Sequence, residues 1–453
     1  MDQRTTPATP MRRVALASCA GTTIEFYDFF IYGTAAALVF PTVFFPALGA
    51  AAATVASFAT FAVAFVARPL GAILFGHYGD RLGRKNTLIV TLLLMGVSTV
   101  VIGVLPGAAT IGVAAPIILV ILRFLQGLAV GGEWAGATLL AAEYAPPSKR
   151  GLYAVFPQLG PALAFALSSA TFLAVNVALG DTNPAFLQWG WRIPFLLSVI
   201  LVGLGLWVRT SIEETPVFRN AATARSATTT STRPPILDVF RVQSREVLLA
   251  GGVLTIVFAL FYTGTAFLTA YGTSASGAAL DRRTVLVLNI VAAAVFGLTT
   301  AVSGIVSDRF GRRNVILTCC ALSIPWALVL FPLMGTGSGL RFAVALVGTL
   351  AIFGIAYGPV GAYLPEMFHT RYRYTGAGMG YNLGGILGGA VAPLVAAQLS
   401  AGFGSYAVGI MIAGFGLLSL ICALALGETR DRRVDAEPAA GNPTANTGAL
   451  PPV

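Results

Sequence analysis

Gly76-His77-Tyr78-Gly79-Asp80-Arg81-Leu82-Gly83-Arg84-Lys85 returns later in the chain as Gly304-Ile305-Val306-Ser307-Asp308-Arg309-Phe310-Gly311-Arg312-Arg313. Both copies read G-x-x-x-D-R-x-G-R-[KR], and each lies in a short polar gap between two long apolar runs. A basic turn that only fixed topology would account for the Arg and Lys residues. It would not account for the glycines or the aspartate. The recurrence points to an internal repeat built around one loop design.

Outward from these loops the chain is apolar. Hydrophobic residues make up 56% of it and charged ones 10%, against about 25% charged in a soluble domain; the mean hydropathy is +0.81. A helix that crosses a bilayer needs about 20 mostly apolar residues. Runs bounded by Gly, Pro and charge occupy 14–40, 53–78, 87–105, 114–143, 152–179 and 191–208, then 247–272, 284–306, 315–334, 341–364, 375–400 and 405–426. The expected fold is therefore an all-α polytopic membrane protein, with twelve transmembrane helices in two six-helix halves, 14–208 and 247–426. Between them, 209–246 is rich in Ala, Ser, Thr and Arg and lacks the spacing to bury a face, as a flexible cytoplasmic linker would. Residues 1–13 form a short N-terminus, and 427–453 a Pro-, Ala- and Asn-rich tail expected to be disordered, with no heptad pattern.

The formal charge of +10 could suggest a nucleic-acid partner, so its placement matters. Of the 28 Lys and Arg residues, Arg192, Arg282, Arg283 and Arg341 fall on one side of the expected membrane. Arg68 and Arg123 fall inside runs, and the remainder lie on the other side. This is the positive-inside bias. It predicts a multi-pass protein of the plasma (inner) membrane with both termini in the cytoplasm, the lipid bilayer as its surroundings and no nucleic-acid partner. Cys19, Cys319, Cys320 and Cys422 lie in apolar runs without CxxC spacing, which argues against disulfide or metal roles. Arg12-Arg13 ahead of an apolar run resembles a signal peptide, but that run is long and carries two acids, so an uncleaved first helix is expected.

The repeated loop resembles the signature of the major facilitator superfamily, which implies secondary transport by two halves with the substrate site between them near the midplane. Three further stretches narrow the resemblance: T-x-x-E-x-Y-D-x-x-x-Y-G in the first run (Thr22 to Gly33), Trp191-Arg192-Ile193-Pro194-Phe195, and Ile212-Glu213-Glu214-Thr215-Pro216-Val217-Phe218. Together they resemble the metabolite:proton symporter family, whose members carry proline and betaine, 2-oxoglutarate, citrate or shikimate. The resemblance runs from about Arg12 to Arg430.

Candidate site residues follow from the cost of charge in lipid. Glu25, Asp28 and Tyr32 share one face of the first helix. An ionised acid at a helix centre costs about 2.5–3.5 kcal/mol on insertion scales. Such acids must face a wet cavity, find partners or be protonated, and two a turn apart resist ionising together. That suits groups that load and unload protons; a structural pairing with an Arg is the alternative. In the fourth run Arg123, Gln126 and Glu133 line one side of the helix. R-x-x-Q-G there resembles another superfamily motif, whose Arg serves proton transfer or substrate anchoring. Arg123 is expected either to fork a substrate carboxylate or to act as counter-ion to Glu25 or Asp28. Glu25, Asp28 and Glu133 are thus the expected proton-coupling residues. Arg123, Tyr32, Gln126 and Gln158 are expected at the substrate, joined from the second half by Tyr262, Asn289, Tyr381 and Asn382, with Thr265 and Tyr357 facing the same cleft. No acid lies near the centre of the seventh or tenth run, so the first half is expected to handle protons and the charged end of the substrate.

Short loops that place an acid before a base suggest an inner gate: Asp80, Arg81, Arg84, Glu143 and Arg150, echoed by Asp308, Arg309, Arg312, Glu366 and Arg371. His77 and His369 sit in these loops without a catalytic or metal-binding context. Trp189, Trp191 and Arg192 read as an interfacial anchor. Pro157-Gln158-Leu159-Gly160-Pro161 lacks the Gly-Gly that marks drug-exporting antiporters of the superfamily, which favours uptake. No G-x-x-x-x-G-K-[ST] is present to bind ATP, and no cofactor, metal or catalytic residue is expected. The expectation is a monomeric proton symporter that takes up a small organic acid or zwitterion. A uniporter or exchanger, or an osmosensing compatible-solute transporter, is the alternative; an intramembrane hydrolase lacks a Ser-His pair or a zinc-ligand cluster.

Overall fold

The structure is a computed structural model that describes residues 11–82, 84–131, 150–180, 183–211, 239, 241–335, 337–369 and 373–430, with side chains except at 11–17, 76–82, 84–85, 208–211 and 374. Long helices account for most of these residues, and there is no strand among them. In lipid every backbone polar group must be satisfied within its own segment, and helices do this.

The first half contains α1 (Met11–Leu38), α2 (Ala50–Leu82), α3 (Arg84–Val104), α4 (Ala114–Val130), α5 (Arg150–Leu179) and α6 (Arg192–Ser211). The second contains α7 (Ser244–Tyr262, carried on by a π turn, Thr263–Phe267, into Leu268–Thr273) and α8 (Arg282–Phe310). It continues with α9 (Arg312–Met334) and α10 (Gly339–Met367). Then follow α11 (Arg373–Gly384, a π turn Gly385–Ala390, then Val391–Phe403) and α12 (Ser405–Ala425). Among the described residues ten helices are long and apolar enough to cross a membrane. The other two are α1, with 28 residues and two central acids, and α4, which runs to the edge of the described chain. The described helices lie within a few residues of the apolar runs, except that the second part of the run 114–143 lies outside the described residues. Most of the expected linker and the whole of the tail after 430 lie outside the described residues.

Burial separates inner helices from outer ones. The core window of α7 is 89% buried, whereas the other spans reach 33–50%. A helix that is apolar all round and shielded on every side belongs in the middle of a bundle. Among the described residues the most extensive seams between the halves are α5 along α8 and α2 along α11. Near one end of the α5–α8 seam, Gly151 and Gly304 meet. A Cβ on Gly151 would stand 2.5 Å from the Gly304 carbonyl oxygen, and one on Gly304 would strike Val155. In the second copy of the loop, the first glycine therefore serves helix–helix approach.

The expected interfacial anchor is different in kind. Trp191 is fully buried, ringed by Phe40, Phe44 and Phe195. Arg192 donates to the carbonyls of Leu105 and Gln188 and lies over the Trp191 ring. This is a joint between α3 and α6, and only Trp189 is exposed. Phe195 lies one helical turn from Trp191, but Phe40 and Phe44 come from a segment that sequence spacing could not bring to it.

Candidate functional site

The centre of the molecule is an aromatic layer that both halves supply. Phe30 meets Phe261 at 5.5 Å between ring centroids, and Tyr262 meets Phe61 at 5.4 Å and Phe65 at 5.0 Å. Phe26 and Phe29 on α1, and Phe258 on α7, extend it. Within this layer the halves leave a void of about 10 Å³ lined by Glu25, Arg68 and Gly131 on one side and Gly378, Tyr381 and Asn382 on the other. That is room for about one water. A metabolite of several heavy atoms fits only if the halves part.

Two arginines are buried here, and both lie on the Phe29 ring. The guanidinium carbon of Arg123 stands 4.1 Å from the ring centroid, and that of Arg68 stands 4.5 Å from it. Arg123 also lies over Tyr32 and Phe61, Arg68 over Phe65. Such stacking offsets part of the cost of a desolvated cation. On α4, Arg123 Nη1 donates to Gln126 Oε1 at 3.0 Å. Gln126 Nε2 then donates to Thr99 Oγ1 at 2.8 Å, and the Thr99 hydroxyl donates to Asp28 Oδ2 at 3.0 Å. Arg123 thus reaches Asp28 through two intervening side chains, not by a direct ion pair. Arg123 Nε and Nη2 and Arg68 Nε have no hydrogen-bond acceptor. Buried donors left in that state are costly.

The other expected residues divide. Tyr32 of α1 is buried against α2, where its hydroxyl donates to Thr60 Oγ1 at 2.7 Å. Gln158 crosses between the halves to donate to the Tyr357 carbonyl at 2.9 Å. Asn382 Nδ2 reaches the Gly131 carbonyl at 3.4 Å, also across the halves. Asn289 donates to Thr269, and Thr265 to its own helix at Phe261, so both bonds stay within the second half. Glu25 lines the void, one turn from Asp28 on α1. Glu133, Glu143 and Arg371 lie outside the described residues, and the side chains of Asp80, Arg81 and Arg84 are likewise not described. Arg68 and Thr99 were not singled out by sequence. The signal for Arg68 was present, since an arginine inside an apolar run carries the same cost as Arg123. Thr99 had none.

At the Gly151–Gly304 end, the second copy of the loop motif shows what each of its residues does. Asp308 accepts from the backbone N–H groups of Gly151 at 2.9 Å and Leu152 at 3.0 Å, so it caps the first turn of α5 from the other half. A carboxylate at a helix N-terminus satisfies free donors and meets the positive end of the dipole. Arg312 Nη1 holds Asp308 at 2.7 Å, and its Nε stands 3.6 Å from Glu366. Gly311 takes φ 94°, ψ 149°, a turn that separates α8 from α9. Arg309 is exposed, and its carbonyl accepts from Arg430. Arg150 is buried beside this cap.

The segment after α12 is stitched to the same place. Glu428 accepts from the backbone N–H groups of Arg312 and Arg313, which caps α9. Thr429 donates to Glu366, and the Tyr363 hydroxyl donates to the Gly427 carbonyl. At the opposite end of the α5–α8 seam, Arg282 Nη1 donates to Asn176 Oδ1 at 3.0 Å and its guanidinium lies over Phe186. The seam is therefore tied at both ends. Among the described residues no group of His, Cys, Asp and Glu could hold a metal.

Residues 14–433 match the family described as "Sugar (and other) transporter". The chain is 46% identical to the inner membrane metabolite transport protein YhjE of Escherichia coli (strain K12), over 95% of its length and 97% of that protein. It is 37% identical to the shikimate transporter of the same strain, over 95% and 97% of the two chains. Among solved structures, the partially occluded inward-open xylose transporter XylE from E. coli superposes with a TM-score of 0.70 at 18% identity. That alignment covers 94% of this chain and all of the other. The structural likeness bears on the fold alone.

Proposed function

Because the chain belongs to the sugar (and other) transporter family within the major facilitator superfamily, and is a multi-pass membrane transporter of metabolites and not an enzyme, we propose that it is a proton-coupled symporter for uptake of a small organic acid or zwitterion. The observation that carries this reading is the buried chain Arg123–Gln126–Thr99–Asp28. A carboxylate and a guanidinium enclosed in one half, joined by hydrogen bonds, form a unit whose charge changes when one proton arrives.

In the proposed cycle, protonation of Asp28, with Glu25 or Glu133 as the other candidates, leaves the arginine charge of the first half uncompensated. An anionic group on the substrate then binds more tightly, and by linkage bound substrate favours the proton. With charges balanced, the halves rock about the α5–α8 and α2–α11 seams, and substrate and proton leave on the other side. A proton moving down a 100 mV potential supplies about 2.3 kcal/mol, enough for accumulation of some tens-fold. Asp308, Arg312 and Glu366, with their counterparts Asp80 and Arg84, act as the inner gate. The arrangement is that of a monomer with halves 14–208 and 247–426, a linker 209–246, and both termini in the cytoplasm at the inner membrane.

The test is pH-dependent uptake in sealed vesicles. Asp28→Asn and Glu25→Gln are each expected to reduce acid-driven accumulation, with the larger loss at Asp28. Full acid-driven accumulation in both variants would falsify the coupling assignment, and uptake without alkalinisation outside would mark a uniporter or exchanger.

A further inference from the structure

We propose that Arg68 of α2, and not Arg123, is the residue that takes the carboxylate of the substrate. The two guanidiniums flank Phe29 but face different company. Arg123 is fully buried against Phe29, Tyr32 and Phe61, and its hydrogen bond runs to Gln126 and onward to Asp28, all within the first half. Arg68 lines the void between the halves, opposite Gly378, Tyr381 and Asn382. Its Nε is buried with no acceptor, and its Nη1 stands 3.9 Å from the place of a Cβ on Gly385, at the π turn of α11. A group between moving halves must be reachable from both, and Arg68 is so placed.

Phe29 then separates two tasks. On one side a cation belongs to the proton-bearing unit; on the other a cation with an unmet donor waits on the path that opens when α2 and α11 separate. A planar guanidinium pairs with a carboxylate through two parallel hydrogen bonds. Phe26, which lines the void, with Phe65 against Arg68 and Phe258 against Tyr381, would face the remainder of the molecule. The ligand class is a small monocarboxylate with a compact, partly apolar body. This rests on the proposed transport function but not on proton coupling.

The test uses the full chain in liposomes and 2-sulfonatoethyl methanethiosulfonate, with modification read by peptide mass spectrometry. The four native cysteines serve as internal references. Arg68→Cys is expected to be modified, while Arg123→Cys stays as slow as the fully buried Cys319 and Cys320. Equal rates at 68 and 123 overturn the assignment. A second variant, Asn382→Cys, reports on the same void if Arg68→Cys does not fold. Shikimate, proline and benzoate are each compared with their methyl esters for slowing its modification. The acids are expected to protect at concentrations roughly 10- to 100-fold below the esters, and this difference is expected to vanish in Asn382→Cys with Arg68→Gln. Esters that protect as well as acids, or a difference that survives Arg68→Gln, overturn the proposal. Acid-driven uptake, measured separately, reports on proton coupling whatever the outcome at Arg68.

Discussion

Thr99 has one hydroxyl hydrogen and two buried acceptors for it, Asp28 Oδ2 and the Met95 carbonyl, both at 3.0 Å. Its oxygen meanwhile accepts from Gln126 whichever way the hydrogen points. A proton on Asp28 removes the stronger acceptor and turns the hydroxyl toward Met95, so the state of one carboxyl is passed to the side chain that holds Arg123. Thr99→Val deletes this step and leaves Gln126 and Asp28 each short of a partner, a loss of about 1–3 kcal/mol. Acid-driven accumulation is expected to fall steeply while downhill flux of substrate persists; vesicle uptake with and without a pH gradient reads the difference. At this scale the sequence showed Asp28 and Arg123 because an isolated charge in an apolar run is expensive. The route between them was hidden, since Thr99 lies on another helix and a threonine in lipid costs little. Phe29 was hidden for a related reason: in a phenylalanine-rich run nothing distinguishes the ring that two cations share.

The turn between α8 and α9 shows why a motif can be recognised before it is understood. The glycines and the aspartate argued against a simple basic turn, but their partners lie on α5 and beyond α12, far away in the chain. Gly311 adopts a backbone conformation that is essentially glycine's alone, at a cost of about 1–3 kcal/mol for other residues. A Cβ there would also strike the Glu428 carboxylate. Gly311→Ala is expected to lower the unfolding midpoint in detergent, and Glu428→Gln to do so less, by about 0.3–1 kcal/mol. Asp281 is a second cap, on α8, where its carboxylate accepts from the Thr284 N–H at 2.8 Å and from its hydroxyl at 2.7 Å. These bonds hold the Asp281 carboxyl below its usual range. Its contribution is therefore present above the unfolded-state value and fades as the pH falls through the folded-state one. Asp281→Ala is expected to cost about 0.5–2 kcal/mol at neutral pH and to match the parent chain in strong acid, as thermal unfolding across the acid range would read. Helix ends were legible because charge and glycine mark them; the identity of each cap was not.

For the molecule as a whole, if the halves rock as proposed, the opposed ties along the α5–α8 seam would set which face opens. Asp308→Ala removes the cap of the first turn of α5, and Arg282→Ala removes its bond to Asn176 at the far end. Each removes hydrogen bonds to a charged group, worth about 1.5–3 kcal/mol, so each is expected to shift the balance of open states by roughly 10- to 100-fold, in opposite directions. Distances between spin labels placed across either end would read the two shifts. Two repeated halves were visible in hydropathy and in the doubled loop. The choice of α5 with α8 and α2 with α11 as seams was not, because the faces of a lipid-bathed helix and of a buried one are equally greasy. The stitching of Gly427–Arg430 onto the start of α9 has a practical side for anyone who engineers this chain. A C-terminal deletion that stops at Ala425 takes away the cap of α9 and the partner of Glu366 together, and such a protein is expected to be leaky or unstable, whereas one that keeps Arg430 retains every one of those bonds.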